Sequence, residues 1–270
     1  MSLFEENILS PSLFYPTNLT SPFGWIGGKR KLANLIVSMM PKHSCYVEVF
    51  GGGLSVLYAK PKITREKYNE VINDINSELI NLHKIIQTRP ASLSDYLNDM
   101  LRSREIFYDI KKGILKPRND IQKAAFYFYR IAFSFGSNTR EFGMYKGKKP
   151  KNIYKSFKVY AQRLKGVCIE NMDFKKLIQQ YDSKDSFFYL DPPYVGTEHQ
   201  YKHTGGFKLD AHKDLCTMLS NIKGKFLLSY NDCEFVREQY KDFKIQKVQV
   251  RYTISQEHSR MNNELLIYNY

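Results

Sequence analysis

Apolar residues along this chain follow two rhythms, a helical spacing and short unbroken runs, and their order outlines a fold. Leu32, Leu35, Ile36, Met39 and Met40 recur at helical intervals, so a helix is predicted over 29–40. Residues 46–50 read as a strand that runs into Gly51, Gly52 and Gly53. Val71 and Ile72 form a second short strand ending at Asn73 and Asp74, and Asn76 is placed to cap a helix carrying Leu79, Ile80, Leu82 and Ile86. Between about 89 and 165 the pattern changes to amphipathic helices with no evident strand. The clearest sets Ile121, Ala124, Ala125, Phe128, Ala132 and Phe135 on one face, an aromatic stripe whose plainest use is core packing.

A polar, glycine-bearing stretch over 136–143 follows, leading into Lys146, Lys148, Lys149 and Lys151. Strand and helix then alternate again: 167–170, 187–190 and 226–229 read as strands, and Asp210 is read as the cap of a helix holding Leu215, Met218 and Leu219. Residues 248–252 and 265–268 are expected to close the sheet as an antiparallel hairpin. The first twenty residues read as an extended arm, and no internal repeat is evident. The pattern predicts an α/β core formed by 1–88 and 165–270, interrupted by a helical insert over 89–164.

Charge changes the picture more than composition does. With 41 Lys and Arg against 27 Asp and Glu, the formal charge of this 270-residue chain is +14, which favours a polyanionic partner. A membrane partner is not expected, because no long apolar span, lipidation signal or basic amphipathic anchor stands out. The acidic first six residues lack the regions of a secretion signal, so a cytoplasmic protein is expected. Cys45, Cys168, Cys216 and Cys233 are scattered without the paired spacing of zinc sites; they read as small core-filling thiols, with no metal implied.

Three segments carry chemistry. The apolar run over 187–190 stops at Asp191, Pro192, Pro193 and Tyr194, which reads as a buried strand presenting polar groups at its carboxyl end, where open α/β sheets bind ligands. Neither proline has an amide hydrogen, so the Pro192 carbonyl has no local donor competing for it, and Asp191 adds a second acceptor beside it. Together they could grip an amino group with two hydrogens, while Tyr194 offers a flat face to a base ring. The plainer reading is a strand-ending turn whose Asp caps the next helix.

The second segment is the glycine loop after the first strand, where a backbone can approach a ligand closely; an acid about twenty residues on, here Asp74, suits ribose hydroxyls. Its alternative is a tight connection between packed elements. A phosphate loop of the Gly-x-x-x-x-Gly-Lys-Ser/Thr kind is absent, which argues against nucleotide triphosphate hydrolysis. The third segment, Gly24-Trp25-Ile26-Gly27-Gly28-Lys29, holds the only tryptophan and a lysine able to bind a carboxylate, or else is an ordinary helix entry with a solvated lysine.

In order, the segments 23–29, 47–57, 73–82, 188–194 and 228–232 resemble those of the Dam-like, D12 class of DNA adenine methyltransferases, over most of the chain. The resemblance implies a Rossmann-like methyltransferase core with a helical target-recognition insert, S-adenosylmethionine as methyl donor, S-adenosylhomocysteine as product, no metal, and double-stranded DNA as partner; no obligate protein partner is evident. It further implies that Trp25 and Lys29 meet the methionine end of the donor, that Glu48, Gly51 and Gly53 line it, that Asp74 holds the ribose, and that Asp173 with the Phe174 backbone meets the adenine ring. Asp191, Pro192 and Tyr194 would grip and stack a flipped target adenine, and Asp191 would also meet the donor.

Ser137, Asn138 and Arg140 are then candidates to touch DNA, with Lys146, Lys148, Lys149 and Lys151 on phosphates; a solvated basic loop is the ordinary alternative. Two departures stand out. The chain has Glu48-Val49-Phe50 where the family often has Glu-Pro-Phe, which predicts only a local backbone adjustment. The insert also lacks the Arg-Tyr-Asn and Phe-Asn-Val-Pro-Tyr-Gly pattern that accompanies GATC recognition, so the target sequence does not carry over. Methylation of RNA or another planar amine is the neighbouring reading, and a DNA-binding module with an inactive donor site a more distant one. Asp at 191 and the ordered blocks favour adenine in DNA.

Overall fold

The apolar runs assemble into one seven-stranded sheet in the computed structural model, which describes residues 15–143, 156–197, 206–252 and 260–270. In chain order the strands are β1 (Cys45–Glu48), β2 (Asn69–Asn73), β3 (Cys168–Glu170), β4 (Ser186–Leu190), β5 (Lys225–Asn231), β6 (Lys244–Tyr252) and β7 (Arg260–Tyr268). Across the sheet the order is β3-β2-β1-β4-β5-β7-β6. The first five are parallel, and β7 runs antiparallel between β5 and β6. The expected closing hairpin is present, with its returning strand inside and β6 at the edge.

Both faces of the sheet are buried, which is why its strands read as runs rather than as alternation. Side chains of period two still sort to opposite sides. Tyr46, Ile72, Phe187, Tyr189 and Leu227 enter one hydrophobic cluster. Val47, Val71, Phe188, Leu190, Phe226 and Leu228 enter the other.

On the first face lie α1 (Ala33–Ser38), α2 (Ser55–Ala59), α3 (Ser77–Thr88), α4 (Pro90–Asp99), α5 (Arg104–Lys112), α6 (Asp120–Phe133) and α7 (Lys158–Leu164). The other is covered by α8 (Phe174–Tyr181), α9 (Leu209–Ser220) and α10 (Glu234–Gln239). Asn76 caps α3 as predicted, accepting from the Glu78 and Leu79 amides, and Ser103 and Asn119 cap α5 and α6 in the same way.

Among the described residues, the helices between β2 and β3 have no core of their own. Phe107, Phe128 and Phe157 belong to the same cluster as Ile36, Tyr46 and Ile72. A buried ion cluster clamps the return to the sheet: the Arg163 guanidinium on α7 donates to both Glu70 carboxylate oxygens, at 2.7 and 2.9 Å, and Lys60 Nζ lies 2.7 Å from the same carboxylate. Burial alone would raise the Glu70 pKa, but the Arg163 bonds and Lys60 outweigh it and hold the carboxyl below its ordinary value.

Several expectations need correction. The predicted first helix begins only at Ala33, because 29–32 form turns that place Lys29 in the interior. Asp210 is not the cap of α9; Lys208 occupies that position and Asp210 sits in the first turn, where an acid is favoured by the helix dipole rather than by a capping bond. Phe135 leaves the stripe of α6, since the helix ends at Phe133 and Phe135 is 46% exposed, while Phe126, Tyr127 and Tyr129 bury the flanks instead. Cys168 is exposed rather than core-filling. No helix among the described residues is long and apolar enough to cross a membrane.

Candidate active site

Chain order reverses between β1 and β4, and at the carboxyl ends of these strands the sheet opens into a cavity of about 710 Å³. Trp25, Lys29, Glu48, Gly51, Gly53, Asp74, Asp173, Phe174, Asp191, Pro192 and Tyr194 all line it, and so do Ser137, Asn138 and Arg140. The structure therefore gathers every described candidate into one cleft. Lys146, Lys148, Lys149 and Lys151 lie outside the described residues.

One half of the cleft is shaped by side chains that bond to backbone. Asp74 accepts from the Gly52 amide through Oδ2 and from the Asn76 amide through Oδ1, each at 2.9 Å. His83 donates from Nε2 to the Gly52 carbonyl at 2.8 Å; burial lowers its pKa to about 4, so the ring is neutral. Both ends of the Gly52 residue are thus held.

Asn73 stitches the strand ends together by donating to the Val49 and Met172 carbonyls and accepting from the Met172 amide. Asp173 caps α8 through the Lys175 amide, and Phe50, Phe174 and Phe207 form a ring cluster with centroids 5.5–5.7 Å apart. Gly52 has φ of +50°, and a Cβ there would sit 2.7 Å from Trp25 Nε1. Glycine is required here because the indole packs onto the loop.

In the other half the charged side chains also bond to each other. Asp191 ends β4, with Lys29 Nζ 2.7 Å from Oδ1 and 2.9 Å from Oδ2, and Ser229 on β5 donates to Oδ1 at 3.0 Å. Burial pushes the Asp191 carboxyl above its ordinary range, although the Lys29 ammonium pulls it back. Tyr194 donates its hydroxyl to Glu264 Oε2 at 2.8 Å, and Lys29 lies 4.7 Å from the centre of the same ring. Asn231 clasps both the amide and the carbonyl of Val195. Among the described residues no donor reaches the Pro192 carbonyl.

Glu48 stands on the seam between the halves, at the end of the strand that both flank. Its Oε2 accepts from Tyr46 and from the Leu57 amide, and burial pushes its carboxyl up to about 8, so it is protonated at neutral pH.

Over the cleft hangs the loop that follows α6. Arg130 donates to the Thr139 carbonyl, Thr139 to Ser134 Oγ, and Lys111 to the Arg140 carbonyl. Ser137 and Thr139 both adopt φ of +60°, a left-handed conformation that side chains rarely take and that neighbouring contacts must impose.

Residues 25–254 match the family described as D12 class N6 adenine-specific DNA methyltransferases. The chain belongs to this family. It is 29% identical to a type II methyltransferase, M1.LlaDCHI, of Lactococcus lactis subsp. cremoris, over 100% of the chain and 99% of that protein. It is 27% identical to the type II methyltransferase M.MjaIII of Methanocaldococcus jannaschii, over 91% and 97%. It is also 24% identical to the DNA adenine methylase of Escherichia coli K12, over 86% and 87%.

For this D12 methyltransferase, sequence reasoning missed Ser229, His83, Arg130 and Glu264. His83 carries no local signal, since it is one polar position in a helix. Glu264 did have one: like Asp191 it is a carboxylate adjoining an apolar run, here Leu265, Leu266 and Ile267.

Proposed function

We propose that this D12 methyltransferase transfers a methyl group from S-adenosylmethionine to the N6 amine of an adenine flipped out of double-stranded DNA, at sites read by the segment 89–164. The carrying observation is the division of one cleft into a backbone-shaped half and a half of facing acceptors. The residues suit the donor: the cavity volume is within the range of cofactor sites, with a carboxylate at Asp74, an ammonium at Lys29 and aromatic faces at Phe50 and Phe174. When bound, the donor supplies a methyl group activated by its positive sulfur.

The chain's own residues do the rest. Asp74 would hold the ribose hydroxyls with whatever acceptor capacity its backbone bonds leave, Trp25 and Lys29 the amino-acid end, and Asp173 with Phe174 the adenine of the donor. The exocyclic amine of adenine is a poor nucleophile because its lone pair is delocalised into the ring. Asp191 and the Pro192 carbonyl, each accepting one amine hydrogen, favour the localised pair in the transition state. Tyr194 offers a stacking face that offsets part of the cost, a few kcal/mol, of taking the base out of the duplex. Asn138 and Arg140 face the cleft from its rim and suit base edges, whereas Lys146, Lys148, Lys149 and Lys151 suit phosphates.

Incubation of unmethylated duplex DNA with labelled donor, followed by nucleoside analysis, tests the reading. Donor-dependent N6-methyladenine is expected; label confined to RNA, cytosine or protein overturns it.

A further inference from the structure

Glu264 is a carboxylate for which the proposed chemistry has no use. It is 1% exposed, on a strand whose next three residues are apolar, where a hydrophobic side chain would pack without the cost of burying a charge. Its Oε2 accepts the Tyr194 hydroxyl at 2.8 Å and lies 4.0 Å from Lys29 Nζ. The geometry points to Glu264 as a positioning residue that fixes the ring of Tyr194 against the target base. This rests on the reading that Tyr194 is the stacking face.

A tyrosine on a turn can swing about two side-chain torsions, so its backbone alone does not define a stacking plane. Here three restraints converge. Asn231 clasps Val195, fixing the chain beside the ring. Glu264 receives the phenol oxygen, fixing the far end. Lys29, paired with Asp191 and 4.7 Å from the ring centre, ties the ring to the neighbouring amine acceptor. The topology explains how a late residue comes to be there. Because β7 runs against β5, its first half reaches the carboxyl edge of the parallel strands, and Glu264 lies directly across from Asn231. A parallel strand would bring its last residues to that edge instead.

A double-mutant cycle between Glu264 and Tyr194 tests the assignment, with methyl transfer to unmethylated plasmid DNA, donor affinity by calorimetry and thermal unfolding measured for each protein. Glu264→Ala is expected to lower kcat about tenfold or more, since a hydrogen bond to a charged group is lost, while donor affinity stays within about twofold. Glu264→Gln, whose amide oxygen still accepts the phenol hydrogen, is expected to stay within about threefold of wild type. In the Tyr194→Phe background, Glu264→Ala should cost less than about a further twofold, and the two substitutions should be equally non-additive in unfolding temperature.

An undiminished effect of Glu264→Ala in Tyr194→Phe, or wild-type kcat in Glu264→Ala, overturns the proposal. If Glu264→Ala does not fold, Tyr194→Phe carries the test, and wild-type kcat there overturns it. The broader reading fails separately: no label on DNA with wild-type protein defeats the methyltransferase assignment, and full activity of Tyr194→Ala defeats the stacking role.

Discussion

The two halves of the cleft are built by different means. On the side of β1, β2 and β3, the polar side chains bond to main chain: Asp74 to the Gly52 and Asn76 amides, His83 to the Gly52 carbonyl, Asn73 to Val49 and Met172. On the side of β4, β5 and β7, Asn231 holds the Val195 main chain, but the charged groups also bond side chain to side chain: Lys29 and Ser229 to Asp191, Tyr194 to Glu264. The first arrangement shapes a surface out of main chain. The second holds charge at defined points, with one ammonium between two carboxylates. Under the proposed function the first half binds the donor and needs a shape, whereas the second stabilises a changing charge and needs fixed dipoles that do not reorganise during reaction.

That contrast predicts effects of different kind and size. Asp191→Ala strikes the charged half and is expected to lower kcat by about 10³-fold or more, as loss of a preorganised transition-state group does. The protein should remain folded, because Lys29 keeps Glu264 as a counter-charge at 4.0 Å. Activity within about tenfold of wild type, worth only about 1.4 kcal/mol, would show that another group performs the step.

Glu48 tests the seam. Burial raises its folded-state pKa to about 8 from the ordinary carboxyl value of 4.5, so between these limits the folded protein holds a proton that the unfolded chain has released, and stability falls as pH rises. Glu48→Gln keeps the acceptor for Tyr46 and the Leu57 amide but removes this titration. Unfolding free energy measured from pH 5 to pH 8 should decline in wild type by roughly 3 kcal/mol more than in the variant. Parallel curves for the two proteins would mean that Glu48 ionises without cost in the folded state.

A smaller effect is expected from the shaped half. Asp74→Ala releases the Gly52 and Asn76 amides and should weaken donor binding about ten- to a hundredfold, with DNA affinity unchanged. Calorimetry with donor and filter binding with DNA separate the two, and equal losses in both would erase the distinction between the halves. Narrowest in scope, and confined to the rim, is Arg140→Ala. It should relax discrimination at one position of the DNA site by about 1–3 kcal/mol rather than weaken every site alike. Methylation of a randomised duplex library checks this, and a uniformly lower yield with an unchanged profile rules out base reading.

The same contrast decided what could be read from sequence. The part of the shaped half around Asp74 is local, with Asn76 two residues on and Gly52 twenty-two residues back, so glycine loop, strand end and acid are visible as a spacing, whereas the bonds of Asn73 to Met172 span 99 residues. The charged half is assembled across 162 residues between Lys29 and Asp191, and 70 between Tyr194 and Glu264. Asp191 and Tyr194 were legible because they end an apolar strand; their partners were not, because nothing in the sequence near Ser229 or Glu264 specifies which strand lies beside which.

The fold shows the same limit. The run over 187–190 betrays β4 because the strand is buried on both faces, whereas β6 begins at Lys244, four residues before its expected start. As the edge strand its first half is only partly covered, and it lacks the apolar run that burial imposes. Asp210 misled because an acid in a first turn and an acid at a cap look alike in sequence.

The interior shared by the sheet and the helices between β2 and β3 constrains how enzymes of this build can diversify. A reading unit with a separate interior could be traded between lineages whole, like a cassette. Here a trade would cut through Phe128, whose ring meets Phe23 on the sheet side and Phe157 on the return. Drift at the rim faces no such barrier, since Arg140 is exposed, Asn138 only half-buried, and both can change without disturbing that packing. Descendants of such a chain are expected to differ most where they face the cleft, on helices that stay nearly constant.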